Sequence, residues 1–290
     1  MNRHKVSFSL NKLYAVVRVS KQGFHKYLSR RRSEAEESNY LVQLIFEIRK
    51  DHPRMGIRKL YFFIQPHIGR DKFEELCKEN NLQIKQYKQG KRTTNSLGVS
   101  RFQNLVEHLT PNKLNEVWSS DITYYQVGQR FYFITFIMDT YSRMILGYQV
   151  SKRLKTEQTT LPALQGAINQ RKRRIPRGMI FHSDGGGQYY DKAFLKLTLK
   201  YGIQNSMCSY AYENGHAERL NGIIKNEYLK PWGVKTYEDL QKKVDRAVSL
   251  YNSERPHNSL GRISPKEFER NISTLDTQDS MPEVPLALNR

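Results

Sequence analysis

The sequence predicts an α/β fold, a mixed five-stranded sheet with flanking helices, preceded by an all-helical region. Two observations carry this prediction. Apolar residues recur at helical spacing through residues 1–95, and from residue 116 the pattern changes to strand-like runs rich in Ile, Tyr, Phe and Val. After three such runs, helix-like and strand-like segments alternate, which is typical of a sheet covered by helices on both faces.

The chain begins with two predicted helices separated by a short turn. Leu13, Val16 and Val17 lie at helical spacing, and Ser20 is a good N-cap for a second, short helix that we expect to end at Arg31. This order is typical of a helix-turn-helix motif, whose second helix enters the DNA major groove. An ordinary helical hairpin with a solvated basic face is the alternative. The side chains that we expect to contact DNA are Lys21, Gln22, His25 and Lys26.

Three further helices are predicted over residues 40–50, 56–64 and 71–80, the last with Cys77 as a buried thiol. Residues 85–98 are polar and basic without apolar periodicity, which indicates a linker between two domains. The predicted regions are a helical DNA-binding region at 1–95, a linker at 96–115, a catalytic core domain at 116–270 and a C-terminal tail at 271–290.

Three strand-like runs open the core domain, over residues 116–125, 130–139 and 142–151. The short turns between them predict an antiparallel meander. The elements predicted after the meander are a helix at 155–172, a strand at 177–184, a helix at 191–201, a strand at 202–207, and helices at 213–230 and 237–252.

The charge of the chain points to a polyanionic partner. Its 290 residues include 48 Lys and Arg against 28 Asp and Glu, a formal net charge of +20. Residues 1–100 carry 21 basic and nine acidic side chains, so the positive charge is densest there. An excess of this size favours double-stranded DNA and disfavours a purely metabolic protein.

Several cofactor and compartment classes are disfavoured. Two cysteines, Cys77 and Cys208, are too few for a disulfide framework or a four-cysteine zinc site, and no P-loop motif is present for an ATP-driven reaction. No apolar run approaches the roughly 20 residues of a membrane span, and the N-terminus lacks a signal-peptide pattern. We therefore expect a cytoplasmic, nucleoid-associated protein with no membrane partner.

Three acidic residues stand where the predicted fold would bring them together. Asp121 lies inside the apolar first strand, Asp184 ends the fourth strand, and Glu218 lies in the long helix that follows. The first and fourth strands are neighbours if the crossovers are right-handed. A carboxylate on a buried strand must be paired, protonated or metal-bound, and converging carboxylates favour hard divalent cations such as Mg²⁺.

Each acid also has an ordinary structural interpretation. Asp121 can cap a turn or pair with a basic neighbour, and Asp184 can be a turn residue because glycines follow it. Glu218 can be a solvated helix position, which is the usual place of a glutamate. The three together in one basic α/β domain favour catalysis more strongly than any of them alone.

Five segments around these acids resemble one known family. In their order along the chain they match the OrfB-type transposases of bacterial insertion sequences, which belong to the DDE superfamily together with retroviral integrases. The resemblance covers roughly residues 10–270. The matching segments are WSSDITYY, FIMDTYSRMILGY, HSDGGGQY, YENGHAERLNGIIKNE and YNSERPHNSLGRISPKEF.

The resemblance implies a ribonuclease-H-like fold in which Asp121, Asp184 and Glu218 form the catalytic, metal-binding triad. It implies two Mg²⁺ ions, with Mn²⁺ as an alternative, and cleavage of element ends followed by joining of the 3′-hydroxyl to another DNA strand. The implied partners are element-end and target DNA, further copies of the chain, and an OrfA-type product of an upstream frame.

The spacing of the acids departs from the family pattern. Asp184 and Glu218 are separated by 33 residues, two fewer than is usual, and the shortfall lies in the loop before the helix. We therefore retain Glu218 as the third acid and reject Glu213. Asn214 then matches the asparagine of the family motif.

Four residues near the acids are expected to contact DNA. Lys225 follows Glu218 by seven residues, two turns along one helix face, and matches a basic position of the family. The alternative interpretation of Lys225 is a lysine on the solvated surface. His182 precedes the second aspartate and either positions DNA or packs in the core. The other two candidates are Asn214 and Gln188.

Two rival functions remain open. A non-catalytic, domesticated DNA-binding repressor would need the basic N-terminal region but not the acids. A nuclease or junction resolvase of the same fold would cut DNA without joining it. The presence of all three acids favours the enzyme over the repressor, and a supercoiled plasmid assay with Mg²⁺ would separate joining from cutting alone.

Overall fold

The computed structural model describes residues 9–85, 101–208 and 214–279. Its N-terminal part contains helices and, among the described residues, no strand. A Ser20 hydroxyl caps the second helix by accepting a hydrogen bond from the Gly23 backbone N–H at 3.0 Å, as predicted. The helices are α1 (Leu10–Val17), α2 (Lys21–Asp51), α3 (Ile57–Ile64) and α4 (Arg70–Glu79).

The second helix is longer than the sequence predicts. It does not end at Arg31 but continues to Asp51, so that the helix expected at 40–50 is its second half. The segment between the two predicted helices contains no Gly or Pro to interrupt it. Two salt bridges at i,i+4 spacing, Arg30–Glu34 and Arg32–Glu36, both at 3.2 Å, further support the helix there.

Only the second half of α2 is packed. Its buried residues Leu41 and Ile45 join a small core with residues of α3 and α4, including the buried thiol of Cys77. In α1, by contrast, Leu10 and Val16 are 66% and 82% exposed. The region between α2 and α3 is fixed to the core domain, because the buried His52 ring lies 3.1 Å from Tyr228 Oη and 3.0 Å from a Glu254 carboxylate oxygen.

The core domain is built on a five-stranded mixed sheet in the order β3-β2-β1-β4-β5. The first three strands form the predicted antiparallel meander, and β4 and β5 add to β1 in parallel. This arrangement confirms the predicted fold class. The strands are β1 (Val117–Val127), β2 (Arg130–Asp139), β3 (Ile145–Ser151), β4 (Ile180–Ser183) and β5 (Gln204–Met207).

Helices cover both faces of the sheet. One hydrophobic core lies between the sheet and α5 and α6, around Trp118 and Phe181. A second lies on the other face, around Phe136, Tyr228 and Tyr251. The helices of the core domain are α5 (Thr160–Gln170), α6 (Lys192–Lys200), α7 (Gly215–Ile223), α8 (Lys230–Trp232), α9 (Tyr237–Ser253) and α10 (Pro265–Asp279), and a π-helical turn (Ile224–Leu229) joins α7 to α8.

The predicted domain boundaries differ from the observed ends of the helices. Helix α10 runs on to Asp279, so the tail expected from residue 271 is helical over its first nine residues. Residues 280–290, residues 96–100 of the predicted linker and Glu213 lie outside the described residues. Within the described part of the chain, no helix is both long and apolar enough to span a membrane.

Candidate active site

Strand pairing places the first two acids side by side. Strands β1 and β4 are parallel, and Ser120 of β1 is the register partner of Ser183 of β4. Asp121 and Asp184 are the next residues of the two strands, so they lie side by side where the pairing of β1 with β4 ends. This is the juxtaposition that the sequence predicts from right-handed crossovers.

Asp121 is held in a partly buried, negatively charged environment. Its Oδ2 accepts a hydrogen bond from the Asn221 side-chain amide at 2.7 Å. Loss of solvent, followed by repulsion from Asp184, raises the pKa of Asp121 to about 7, and the charge of Glu218 adds to this shift. The charges of Asp184 and Glu218 therefore both act on Asp121.

Asp184 lies at the start of an exposed glycine-rich loop. The surrounding atoms still desolvate its carboxylate and raise its pKa, although the Gly186 backbone N–H donates to Oδ1 at 3.1 Å. Gly185 has a φ of +78°, and a Cβ at this position would overlap the side chain of Met207. Only glycine fits this turn, which directs the chain away immediately after the carboxylate.

Glu218 lies in the first turn of α7, and its side chain is exposed. The start of this helix is attached to the sheet next to Asp121, because the buried Asn214 side chain donates to the Ser120 carbonyl at 2.8 Å. Asn221, one turn after Glu218, donates to Asp121 itself. Two asparagines thus fix α7 against β1 at the carboxylates.

Lys225 lies at the same end of the sheet. Its half-buried Nζ donates to Thr123 Oγ1 at 2.7 Å, and Thr123 is two residues from Asp121 on β1, so both side chains lie on one face of the strand. Loss of solvent lowers the pKa of Lys225, and the nearby charge of Asp121 partly opposes this shift. The helix expected through residue 230 is present in the described residues from Gly215 onward, but it is π-helical over Ile224–Leu229, which the sequence did not predict.

Two of the residues predicted to contact DNA are buried. His182 is 2% exposed, and its Nδ1 lies 3.0 Å from Ser206 Oγ on β5. Asn214 is 3% exposed and attaches α7 to β1. For His182 the burial agrees with the packing interpretation that the sequence left open, and Asn214 joins the start of α7 to β1. Contact of either residue with DNA stays a prediction.

The remaining DNA candidates lie at the surface. Gln188 is half-buried and its side-chain amide donates to the Leu154 carbonyl at 3.3 Å. In the first turns of α2, the side chains of Lys21, Gln22 and Lys26 are exposed. Their contact with DNA stays a prediction.

The donor chemistry of the three acids fits a hard cation. Carboxylate oxygens are the ligands that Mg²⁺ prefers, and a cation would relieve the mutual repulsion that raises the pKa of Asp121. Among the described residues, no group of three His, Cys, Asp or Glu side chains is arranged to hold a metal ion. Asp121, Asp184 and Glu218 are the residues that would hold a cation at this site.

Sequence analysis missed the residues that orient this site. Asn221 follows Glu218 by three residues, so it shares a helix face with it, and this spacing was available as a signal. Thr123 similarly shares a strand face with Asp121. No local pattern indicates the π-helical turn that brings Lys225 to Thr123.

Known proteins are similar to this chain in sequence, and solved structures match part of it. The integrase core domain family matches residues 111–212, and a second family of the same description matches residues 201–265. The insertion element IS600 31 kDa protein of Shigella sonnei is 30% identical over 86% of this chain and 94% of its own. The transposase InsF for insertion sequence IS3A of Escherichia coli K12 is 24% identical over 93% of this chain and 96% of its own. The HTLV-2 integrase catalytic core domain, solved in complex with magnesium, is 21% identical and covers 53% of this chain and 94% of its own with a TM-score of 0.43.

The sheet order and the paired aspartates define an integrase-type core domain. The IS600 31 kDa protein, which is 30% identical and aligns over 94% of its length, makes the assignment more specific. The chain belongs to the DDE transposases of bacterial insertion sequences, which confirms the resemblance found in its sequence motifs.

Proposed function

We propose that the protein cleaves the DNA ends of an insertion element and joins the exposed 3′-hydroxyl to another DNA strand. The observation that carries this proposal is the placement of Asp121 and Asp184 side by side on β1 and β4, where loss of solvent and then the charges of Asp184 and Glu218 raise the pKa of Asp121. The transposase homologues support the same activity.

The residues of the chain have separate roles in this reaction. Asp121, Asp184 and Glu218 would hold two Mg²⁺ ions, or Mn²⁺, which would supply positive charge to the attacked phosphate and the leaving 3′-oxygen. Asn221 keeps one oxygen of Asp121 oriented through its 2.7 Å hydrogen bond. Lys225 binds a backbone phosphate near the scissile bond as a point charge.

Neither step of the reaction requires a covalent intermediate between the protein and DNA. In cleavage, a water oxygen attacks the phosphorus and the 3′-oxygen leaves with a proton. In joining, the freed 3′-hydroxyl attacks a phosphorus of the target strand in the same place, and the target's own 3′-oxygen leaves. The number of phosphodiester bonds is unchanged in joining, so no external energy source is needed.

The partners of the reaction follow from the same proposal. The protein acts on double-stranded DNA in the cytoplasm, at the nucleoid, as an oligomer that holds two element ends. The exposed basic start of α2, after its Ser20 cap, supports a helix-turn-helix contact with the element end. An OrfA-type protein from an upstream frame is the proposed protein partner.

A supercoiled plasmid that carries the element ends tests this function. With Mg²⁺ and the purified full chain, we expect joined products that migrate differently from nicked and linear plasmid. Nicked plasmid without joined products would instead support a nuclease or resolvase. Tight binding without either product would support a repressor and contradict the proposal.

A further inference from the structure

A second charged site lies behind α7. A pocket of about 270 Å³ is enclosed by α3, the turn between β2 and β3, α7 and the loop after α9. At about 30 Å³ per water molecule, this space holds several waters or a small hydrated anion. The polar side chains that line it include Lys59, Arg143, His216, Arg219, Arg255 and His257, and no Asp or Glu is among its described lining residues.

The pocket lies on a different face of α7 from the carboxylates. Successive helical residues are rotated by about 100°, so His216, two residues before Glu218, lies on the opposite side of the helix. His216, Arg219 and Ile223 line the pocket, whereas Asn221 is turned toward Asp121. A ligand of the pocket would therefore be separated from the carboxylates by the body of the helix.

The positive charge of the pocket is only partly neutralised. Glu227, behind the pocket, accepts two hydrogen bonds from Arg255 at 2.7 and 2.8 Å and lies 3.5 Å from Lys59 Nζ. One carboxylate thus balances two cations. Among the described residues, Arg143 and Arg219 have no carboxylate within salt-bridge distance.

His216 contacts one of these cations. Arg143 Nη1 lies 2.6 Å from His216 Nδ1, so this ring nitrogen accepts a hydrogen bond from the guanidinium. Arg143 and Arg219 both line the pocket, and no acid is among its described lining residues. Two guanidinium groups in such a pocket form an arrangement suited to an oxyanion.

We propose that this pocket binds a phosphate group, with Arg143 and Arg219 as its principal donors. The group is either a backbone phosphate of DNA or a free phosphate anion. In the first case the pocket holds duplex at a distance from the scissile bond, an inference that rests on the proposed function and extends it from cleavage to DNA positioning.

The first part of the test measures DNA binding by two full-length variants. One lacks two arginines of the pocket, and the other lacks an arginine far from it. In the double variant Arg143→Gln/Arg219→Gln, we expect weaker binding of a 30-bp duplex irrespective of its sequence. The slope of log Kd against log salt should fall by about one to two, since one or two phosphate contacts are lost. Arg130→Gln, at the exposed turn between β1 and β2, is the matched control and should leave the slope within about 0.5 of the wild type.

The phosphate arm uses inorganic phosphate and histidine-ring NMR of the full chain. The rings of His216 and His257 should shift on addition of sodium phosphate but not of sodium chloride at equal ionic strength, and the double variant should lose this response. Unchanged resonances of the other histidines would show that the double variant is folded. A response to duplex together with the reduced slope identifies the DNA backbone as the source, and a response to phosphate alone identifies a free anion.

The proposal is overturned if neither phosphate nor duplex shifts the two rings. It is equally overturned if the double variant has the response and salt slope of the Arg130→Gln control. These readouts do not depend on cleavage. If the wild type binds phosphate at this pocket but yields no cleaved DNA, the proposed function fails while the pocket stands.

Discussion

Two faces of helix α7 carry opposite charge. On one face, Asn221 donates to Asp121, and Glu218 is close enough for its charge to raise the pKa of that aspartate. On another, His216 and Arg219 line a basic pocket with Arg143. His216 and Asn221 lie on different sides of this helix, so the role of a polar residue in this motif depends on its helix face.

The largest expected effect concerns the acidic face. Asp121→Asn, Asp184→Asn and Glu218→Gln should each reduce strand cleavage by more than about 100-fold, since amides match the acids in shape but bind divalent cations poorly. DNA affinity should remain within about threefold of the wild type, because removal of an acid does not weaken phosphate contacts. Initial rates on labelled element-end duplexes measure the first quantity, and fluorescence anisotropy measures the second.

Glu238→Gln removes an exposed carboxylate of α9 and is the matched control. This variant should cleave DNA at the wild-type rate. If one of the three variants kept the wild-type rate, that residue would not belong to the triad. Equal loss in the Glu238 variant would show that the assay responds to net charge.

The basic face depends on a half-buried carboxylate behind it, that of Glu227. Burial by itself would raise the pKa of Glu227, but its hydrogen bonds with Arg255 and the nearby positive charges lower it overall. Because the folded-state pKa is lowered, the pair stabilises the fold above the unfolded pKa of about 4.3, and this contribution is lost as the pH falls through the folded-state value. Glu227→Gln should therefore reduce the free energy of unfolding by about 2–3 kcal/mol at pH 7.

Urea unfolding at pH 7 and at acidic pH checks this account. The difference between the wild type and Glu227→Gln should shrink as the pH falls, because the wild-type carboxylate is then protonated as well. A difference that stays constant with pH would mean that Glu227 stabilises the fold through packing.

The two faces of α7 cannot be predicted equally well from the sequence. The strand-like runs and right-handed crossovers predict the meeting of Asp121 and Asp184, which needs only the order of the elements. The basic pocket unites residues as distant in sequence as Lys59 and His257, and no local spacing predicts such a contact. The burial of His182 and Asn214 could not be predicted either, because a residue's type does not say which neighbours cover it.

The N-terminal helices differ from both faces of α7, because α1 and the first half of α2 are exposed. Their deletion up to residue 40 leaves the packed residues of α2 in place, whereas the domain boundary at 95 would also remove His52 and Lys59, which contact the core domain. This shorter deletion removes nine basic and three acidic side chains. We expect at least about tenfold weaker binding to element ends and loss of preference for their sequence.

Competition binding with element-end and random duplexes measures both effects. The full-length variant Lys21→Gln/Lys26→Gln should show part of the loss, which separates the role of these side chains from the role of the folded segment. Unchanged affinity and preference in the deletion would place the recognition of element ends elsewhere in the chain.

The smallest expected effect concerns Lys225, at the border of the acidic face. Lys225→Ala should lower cleavage by about threefold to tenfold at limiting DNA, and a high concentration of DNA should partly restore the rate. Thr123→Val removes the hydrogen-bond partner of the lysine but keeps its charge, so it should lose less. Steady-state rates across a range of DNA concentrations distinguish the two variants. If Lys225→Ala matched the wild type at limiting DNA, the lysine would not contact the substrate.

The central claim is that one set of carboxylates joins DNA as well as cutting it. The most direct measurement supplies the purified chain with Mg²⁺, a labelled element-end duplex that already has a free 3′-hydroxyl, and a target plasmid. Since cleavage is bypassed, we predict labelled target DNA with the wild type and none with Asp121→Asn at equal DNA occupancy. Labelled target that forms equally with the variant, or that fails to form with a wild-type protein that binds both DNAs, would contradict the account.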